Sequence, residues 1–410
     1  MDVVFDRVAG LDVGKKIVVV CVRTPGPGGK RVSETRTFRT MTRSLGLMAD
    51  WLAECGVKLA AMESTATYWK PVFYCLEEQV ETWLLNAAHT KAVAGRKSDV
   101  RDAEWIAQLL EHGLVRPSFV PPPPIRQLRN LTRYRVQLQG DRTRDAGRLE
   151  KLLEDASIKL SAVASNIVGA SSRAMLGALV AGERDGAVMA DLARSKLRRK
   201  IPELAEALTG RFDDHHALLV GQLLARIAAT EQALVDLDAH LADLMIPWAH
   251  ELELLQTIPG VGVHVAQAFI AETSGDMSRF PSPAHLAAWV GVAPAMHESA
   301  GRRQPAGTRH GNKFLTAMLV EAAQSASRTK DTYLAAQFAR LTSRRGHNRA
   351  AVAVAHSILV SAYWMLVRDE PYRDLGPGWL DQHARTEAHT RHLIAQLEHL
   401  GHTVVLDPVA

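Results

Sequence analysis

The sequence predicts an α/β amino-terminal domain joined to an all-α remainder. Three observations carry that prediction. The first 120 residues hold short apolar runs rich in β-branched residues, separated by glycine and proline turns. Four consecutive prolines, Pro121 to Pro124, then interrupt the chain. Beyond them, long stretches place leucine and isoleucine at three- and four-residue spacing.

Residues 8–12 and 17–22 are the first two strand candidates, with Gly14 in the turn between them. Pro25-Gly26-Pro27-Gly28-Gly29 is a turn cluster, and 31–38 alternates as a third strand, so the three make an antiparallel meander. A helix over 45–55, an apolar run over 57–62, a helix around 68–79 and a strand over 82–85 follow. In 99–112, Ala103, Ile106, Leu109 and Leu110 recur at helical spacing, and Gly113 is the stop. Four prolines neither continue a helix nor pair inside a sheet, so the first boundary falls there. Residues 126–159 read as a long helix. A second spans 217–245, with Leu223, Ile227, Leu234, Leu237, Leu241 and Leu244 forming a coiled-coil-like seam. Two such helices can pair with each other or with another chain. Pro247 ends the second, and 160–216 is mixed helical material. A mostly helical unit covers 251–368, with alanine-rich stretches at 317–326 and 350–362. The tail after Pro371 offers a helix over 384–400 and a run at 404–406 suited to a sheet edge. The resulting domain plan is 1–120, 121–248, 249–375 and a tail, 376–410.

Composition narrows the function classes. With 47% hydrophobic and 23% charged residues in 410, the chain matches ordinary globular proteins and excludes wholesale disorder or a fibrous repeat. No uninterrupted apolar run reaches a membrane span of roughly 20 residues, and no signal peptide opens the sequence, so the expectation is a cytoplasmic protein without a membrane partner. The three cysteines, Cys21, Cys55 and Cys75, have neither disulfide-framework nor zinc spacing. Formal net charge is only +5, but residues 299–349 hold ten Arg or Lys against two acids, Glu321 and Asp331. Such a concentration is the footprint of a polyanion partner; a solvated basic face has the same composition.

Four acids occupy related places. Asp12 ends the first strand candidate, Glu63 ends the fourth, and Asp99 and Asp102 share one face of a helix's first turn. Capping and strand-end turns account for each acid singly. Their order suits a shared task. Carboxylates converging at a sheet edge can bind two Mg²⁺ ions about 3.5–4 Å apart, the arrangement that assists phosphoryl transfer. The succession of meander, helix, strand, helix, strand, helix resembles the ribonuclease-H/RuvC-like fold, and the four acids resemble its DEDD set.

Leu254 to Ala266 reads helix, Pro259-Gly260-Val261-Gly262, helix: a helix-hairpin-helix pattern. Gly260 and Gly262 permit a turn whose N–H groups meet a phosphate; a buried helix corner has the same pattern. Ser299 lies in a loop rich in Gly, Pro and Arg, where Arg302, Arg303, Arg309 and Lys313 can clamp a scissile phosphate. A serine nucleophile needs a base or a metal to activate it. His297 is the nearest base, with His264 and His310 further candidates.

Taken together, Gly10-Leu11-Asp12, Met62-Glu63-Ser64-Thr65, Lys97 to Ala103, Ile258 to Gly262, Glu298-Ser299-Ala300-Gly301 and Gly311-Asn312 resemble the DEDD-type insertion-sequence transposases, the bridge-RNA-guided recombinases, over about residues 5–375. The resemblance implies Mg²⁺, with Mn²⁺ as a substitute, held by Asp12, Glu63, Asp99 and Asp102. It implies Ser299 as the nucleophile that forms a phosphoserine link to DNA, and a structured bridge RNA that selects donor and target DNA. It further implies a dimerising coiled coil and a tetramer, associated with the nucleoid, when DNA is synapsed. A metal-dependent Holliday-junction-type endonuclease using only the carboxylates, and a non-catalytic nucleic-acid-binding protein, are the competing readings.

Overall fold

A five-stranded mixed sheet organises the first of two compact units, Met1–Pro121 and Pro122–Ala410. The computed structural model describes residues 2–86, 99–295, 297–299, 302–304, 307–308 and 310–406. In the first unit β1 (Val8–Val13), β2 (Ile17–Pro25) and β3 (Arg31–Arg39) form an antiparallel meander. On its other side β1 pairs in parallel with β4 (Leu59–Glu63), which pairs with β5 (Glu81–Leu85); the order is β3-β2-β1-β4-β5. Residues 18–22 of β2 are buried beside β1, which explains the continuous apolar reading of this run.

Strand alternation sorts the two faces. Ala9, Leu11, Val13, Ala60 and Met62 face α1 (Thr42–Glu54) and α2 (Trp69–Leu76). Val8, Leu59, Ala61 and Leu85 face Ile106, Leu109 and Leu110 of α3 (Asp99–Glu111). At Gly10 the sheet meets α3 backbone to backbone. A Cβ there would stand 2.2 Å from the Ala103 carbonyl oxygen and 2.3 Å from the Ala107 nitrogen. Only glycine admits that approach. The other end of α3 is fixed by Glu111, whose buried carboxylate pairs with Arg23 at 2.9 Å and with Arg31. Arg23 sits opposite Val8, so α3 runs antiparallel to β1 and its first turn lies toward the carboxyl end of that strand.

The second unit begins with α4 (Pro123–Asp155). The tetraproline breaks the chain only at its first two residues, correcting the expectation that all four would. Pro123 and Pro124 occupy the first helical turn, where no intrahelical N–H partner is required. Helices α5 (Leu160–Val163), α6 (Ala170–Val180), α7 (Gly186–Asp191) and α8 (Ile201–Ala207) follow, and α9 (Asp214–Leu244) returns along α4. Arg135–Asp238, Arg142–Glu231 and Asp145–Arg226 pairs descend in opposite order along the two helices, so they are antiparallel. The buried positions of α9 include Val220, Ile227, Leu234 and Leu241 at strict seven-residue spacing, and the partner of this seam is α4 of the same chain. Burial pushes the Asp145 carboxyl up, but hydrogen bonds from Arg148 and Arg226 outweigh it and hold the group below the usual carboxylate range. Glu231, likewise opposed by burial, is lowered by Arg142 and Arg173.

A second core joins α10 (Ala249–Gln256), α11 (Val263–Thr273), α12 (Pro283–Val290), α13 (Lys313–Ala326), α14 (Tyr333–Arg345) and α15 (His347–Arg368). A two-stranded ribbon, β6 (His297–Ser299) and β7 (Arg302–Gln304), stands between α12 and α13 in sequence. In the tail α16 (Trp379–His399) starts before the expected 384, and the 404–406 run forms no strand but exposed coil. Among the described residues two helices have the length and apolarity to cross a bilayer, α9 with mean hydropathy 1.3 and α15 with 1.8. Counting uninterrupted apolar residues missed them, because alanines and isolated polar residues keep the average high. α15 is a core helix of its unit.

Candidate active site and its two chemistries

The backbone places the positions of the four acids toward one edge of the first unit's sheet. Leu11 of β1 pairs with Met62 of β4, so the next positions, Asp12 and Glu63, stand side by side on parallel strands about 4.8 Å apart. Both alternate onto the face covered by α3, since Gly10 and Ala61 already point there. β1 runs one residue past Asp12, which places this acid on the strand rather than at its very end. Asp99 opens α3 and Asp102 follows one turn on, immediately before Ala103, the residue that abuts Gly10. Because α3 is antiparallel to β1, its first turn reaches the edge that bears Asp12 and Glu63. Asp12, Glu63 and Asp102 are half-buried, open enough to receive a ligand. Carboxylate oxygens are hard donors, the kind that suits Mg²⁺ or Mn²⁺.

The serine belongs to a hairpin rather than a loop. Its register pairs His297 with Gln304, Glu298 with Arg303 and Ser299 with Arg302. Positions 297, 299, 302 and 304 therefore share one face of the ladder, and 298 and 303 share the other. Three-residue strands carry too little alternation to be recognised in sequence. The ribbon's base is closed by the Pro294–Thr308 bridge and by the Ala295 N–H donating to the Gly307 carbonyl at 2.9 Å. Arg309 lies outside the described residues. Lys313 is exposed in the first turn of α13.

Sequence reasoning missed the anchor beneath this segment. Glu272 of α11 is buried and takes a bidentate contact from Arg133 at 2.6 and 2.9 Å, with Arg129 at 3.2 Å. The Asn312 side-chain amide donates to the same carboxylate at 2.6 Å, while its oxygen accepts from the Phe314 and Leu315 N–H groups and caps α13. The Gly311-Asn312 motif is thereby tied through one carboxylate to α4 and α11.

The Pro259-Gly260-Val261-Gly262 turn joins α10 to α11. Gly260 has φ +86°, and a Cβ there would meet the Ala322 carbonyl of α13 at 2.3 Å. Packing thus demands glycine at 260 whether or not a phosphate visits. Gly262 is exposed at the N-cap of α11, where it offers no side chain to the first-turn N–H groups. His264 Nε2 accepts from Arg135 at 2.7 Å, and Arg135 also grips Asp238, so this imidazole is committed to a structural pair. Among the described residues the group whose ligand atoms lie within 4.8 Å of one another is Asp155, His215 and His216 in the second unit, and Asp12, Glu63 and Asp102 do not form such a group. There His216 Nδ1 accepts the Asp213 N–H and Nε2 faces Asp155. Both ring nitrogens are occupied, which suits a helix cap better than a metal ligand.

The mixed-sheet unit and the helical unit that follows it both carry matches to transposase models, the first of them of the DEDD class. Family comparison gives the particular group. A DEDD transposase model of the IS110 group matches residues 9–158, and the model described as "Transposase IS116/IS110/IS902 family" matches 252–339. The chain belongs to the IS110/IS116/IS902 transposase family. It is 25% identical to the transposase for insertion sequence element IS1111A of Coxiella burnetii, over 90% of this chain and 91% of that one. It is 26% identical to a 43.6 kDa protein of insertion element IS110 of Streptomyces coelicolor, over 88% and 93% of the two chains. A 42 kDa protein of insertion element IS900 of Mycobacterium paratuberculosis is 28% identical over 67% and 72%. The structure of Thermus thermophilus RuvC aligns with 27% of this chain and 99% of its own at 14% identity, with a TM-score of 0.23.

Proposed function

We propose that this DNA transposase cuts and rejoins DNA through a serine-linked intermediate, with divalent-ion assistance from its DEDD acids. The observation that carries the reading is the gathering of Asp12, Glu63 and the first turn of α3 at one sheet edge. Asp12, Glu63, Asp99 and Asp102 would hold the divalent ion, which would supply Lewis-acid stabilisation of charge on phosphate oxygens. The Ser299 oxygen attacks phosphorus, the 3′ or 5′ oxygen of the broken strand departs with a proton, and the ester bond is conserved as phosphoserine. Reversal on a second strand rejoins DNA without ATP. Arg302, opposite Ser299 in the register, is the better placed of the two adjacent arginines to balance charge on that phosphate; Arg303 pairs instead with the Glu298 position. Arg309, Lys313 and the exposed Gly262 turn supply further backbone contacts. The finer features are a bridge RNA that selects sites by base pairing, and assembly as a dimer that synapses as a tetramer. They rest on the family resemblance, and the first is tested by sequencing RNA that copurifies with the protein.

A RuvC-type nuclease reading, with water as nucleophile and no use of Ser299, is favoured by the same acid edge. One assay separates the two. With Mg²⁺ and DNA carrying the element's ends, the transposase reading expects a protein–DNA adduct that survives denaturation. Ser299→Ala and Asp12→Ala should each remove it. Normal strand cleavage by Ser299→Ala, with no adduct in the wild type, would establish the nuclease instead.

A further inference from the structure

A cleft of about 830 Å³ opens at the base of the serine hairpin, within the range of small-molecule sites, and no step described above uses it. Its floor is one face of α15, where Arg349, Val352, Ala353 and His356 recur at i, i+3, i+4 and i+7. Gln337 of α14 forms a wall, and the Pro294–Thr308 bridge that closes the ribbon forms the rim. The charges are of one sign. Residues 332–368 contain five arginines and neither Asp nor Glu. Arg344, Arg345 and Arg349 are exposed where α14 passes to α15, and none makes an ion pair among the described residues.

The interior has a different character. Val352 and Ala353 present a half-buried apolar surface to it. The Gln337 amide nitrogen donates to Ser357 at 3.0 Å, while its oxygen is buried without a hydrogen-bond partner, an acceptor in search of a donor. Burial lowers the His356 pKa, so the imidazole is neutral at pH 7 and offers one donor and one acceptor. Cations at the mouth with an apolar, hydrogen-bonding interior are complementary to a phosphate carrying a flat heterocycle. Ser299 is four residues beyond Ala295 in sequence, so at most about 14 Å of chain, the span of a few nucleotides, separates the two positions.

We propose that this cleft receives an unstacked nucleotide of the DNA strand on which the serine acts, its base against Val352 and Ala353 and its phosphate at Arg349. The inference rests on the serine reading for the identity of the strand, and its test does not depend on catalysis. Binding of fluorescein-labelled oligo(dT) 12-mer and of a 12-residue abasic strand is measured by anisotropy in EDTA, so no cleavage intervenes. The wild type should prefer oligo(dT) by about fivefold or more, the scale of one stacked base. Ala353→Trp, which fills the floor, should bring the two affinities together, and Arg349→Gln should weaken both alike. If circular dichroism shows Ala353→Trp misfolded, His356→Ala provides the same comparison from a half-buried surface position. Equal affinities in the wild type, or a preference that survives the substitutions, would overturn the cleft. Tenfold tighter binding of oligo(rU) than of oligo(dT) would assign it to RNA and overturn the DNA assignment. No adduct from the wild type with Mg²⁺ and the element's ends, alongside an intact preference for oligo(dT), would refute the serine reading alone.

Discussion

Glu272→Ala is expected to destabilise the second unit by about 3–5 kcal/mol, because it leaves two arginines facing a buried gap. Glu272 is 1% exposed; its carboxylate accepts from Arg133 and Asn312 and pairs with Arg129, which itself donates to the Ala271 and Glu272 carbonyls, and these contacts hold α4, α11 and the start of α13 together. Truncation removes the countercharge without removing the guanidiniums, and it frees the Asn312 cap. Thermal denaturation followed at 222 nm should show a fall in Tm on the order of 10 °C. Asp141→Ala, which breaks an exposed pair with Arg144, should change stability by less than about 0.5 kcal/mol. Similar effects from the two substitutions would show that the buried network does not hold these elements.

The second large effect is expected at Gly10. Its Cα touches the backbone of α3, where neither the Ala103 oxygen nor the Ala107 nitrogen can swing aside as a side chain would. Gly10→Ala should push α3 outward and cost about 1–3 kcal/mol, and Gly10→Val should cost more. Because α3 carries Asp99 and Asp102, the displacement separates them from Asp12 and Glu63 while leaving all four carboxylates in the sequence. A shift near 1 Å lowers rates by roughly 100-fold, so Gly10→Ala should lose most adduct formation yet remain folded by circular dichroism. Gly46→Ala, in α1 with open space around it, should be neutral or stabilising. Wild-type activity in Gly10→Ala would mean that α3 is not held where the acids need it.

These two residues mark what the sequence makes visible. The strands and the acids at their ends were readable, because β-branched runs and terminal polar residues are local signals. Helix α3 was readable from its four-residue apolar spacing and the glycine after it. Gly10 stood within a motif, yet its role depends on a helix that begins some ninety residues later. Glu272 gave no signal at all: its partner Arg133 is 139 residues distant, and a glutamate in a helix is usually solvated. The tetraproline misled in part, since a proline ends one element and can begin the next. The serine hairpin has the composition of a loop, because its strands are only three residues long. The 404–406 run, apolar and β-branched, had the composition of an edge strand but found no sheet to join.

The central claim is that Asp12, Glu63, Asp99 and Asp102 form a single divalent-ion site. Replacing Mg²⁺ with Fe²⁺ in the presence of ascorbate and peroxide cuts the polypeptide beside the bound ion, and the fragments locate it. The account predicts cuts clustered around 12, 63 and 99–102, competed away by excess Mg²⁺ and lost together in Asp12→Asn. Cuts at Asp155 and His215 with none in those three segments, or cuts that disappear from one segment while persisting in the others, would contradict it.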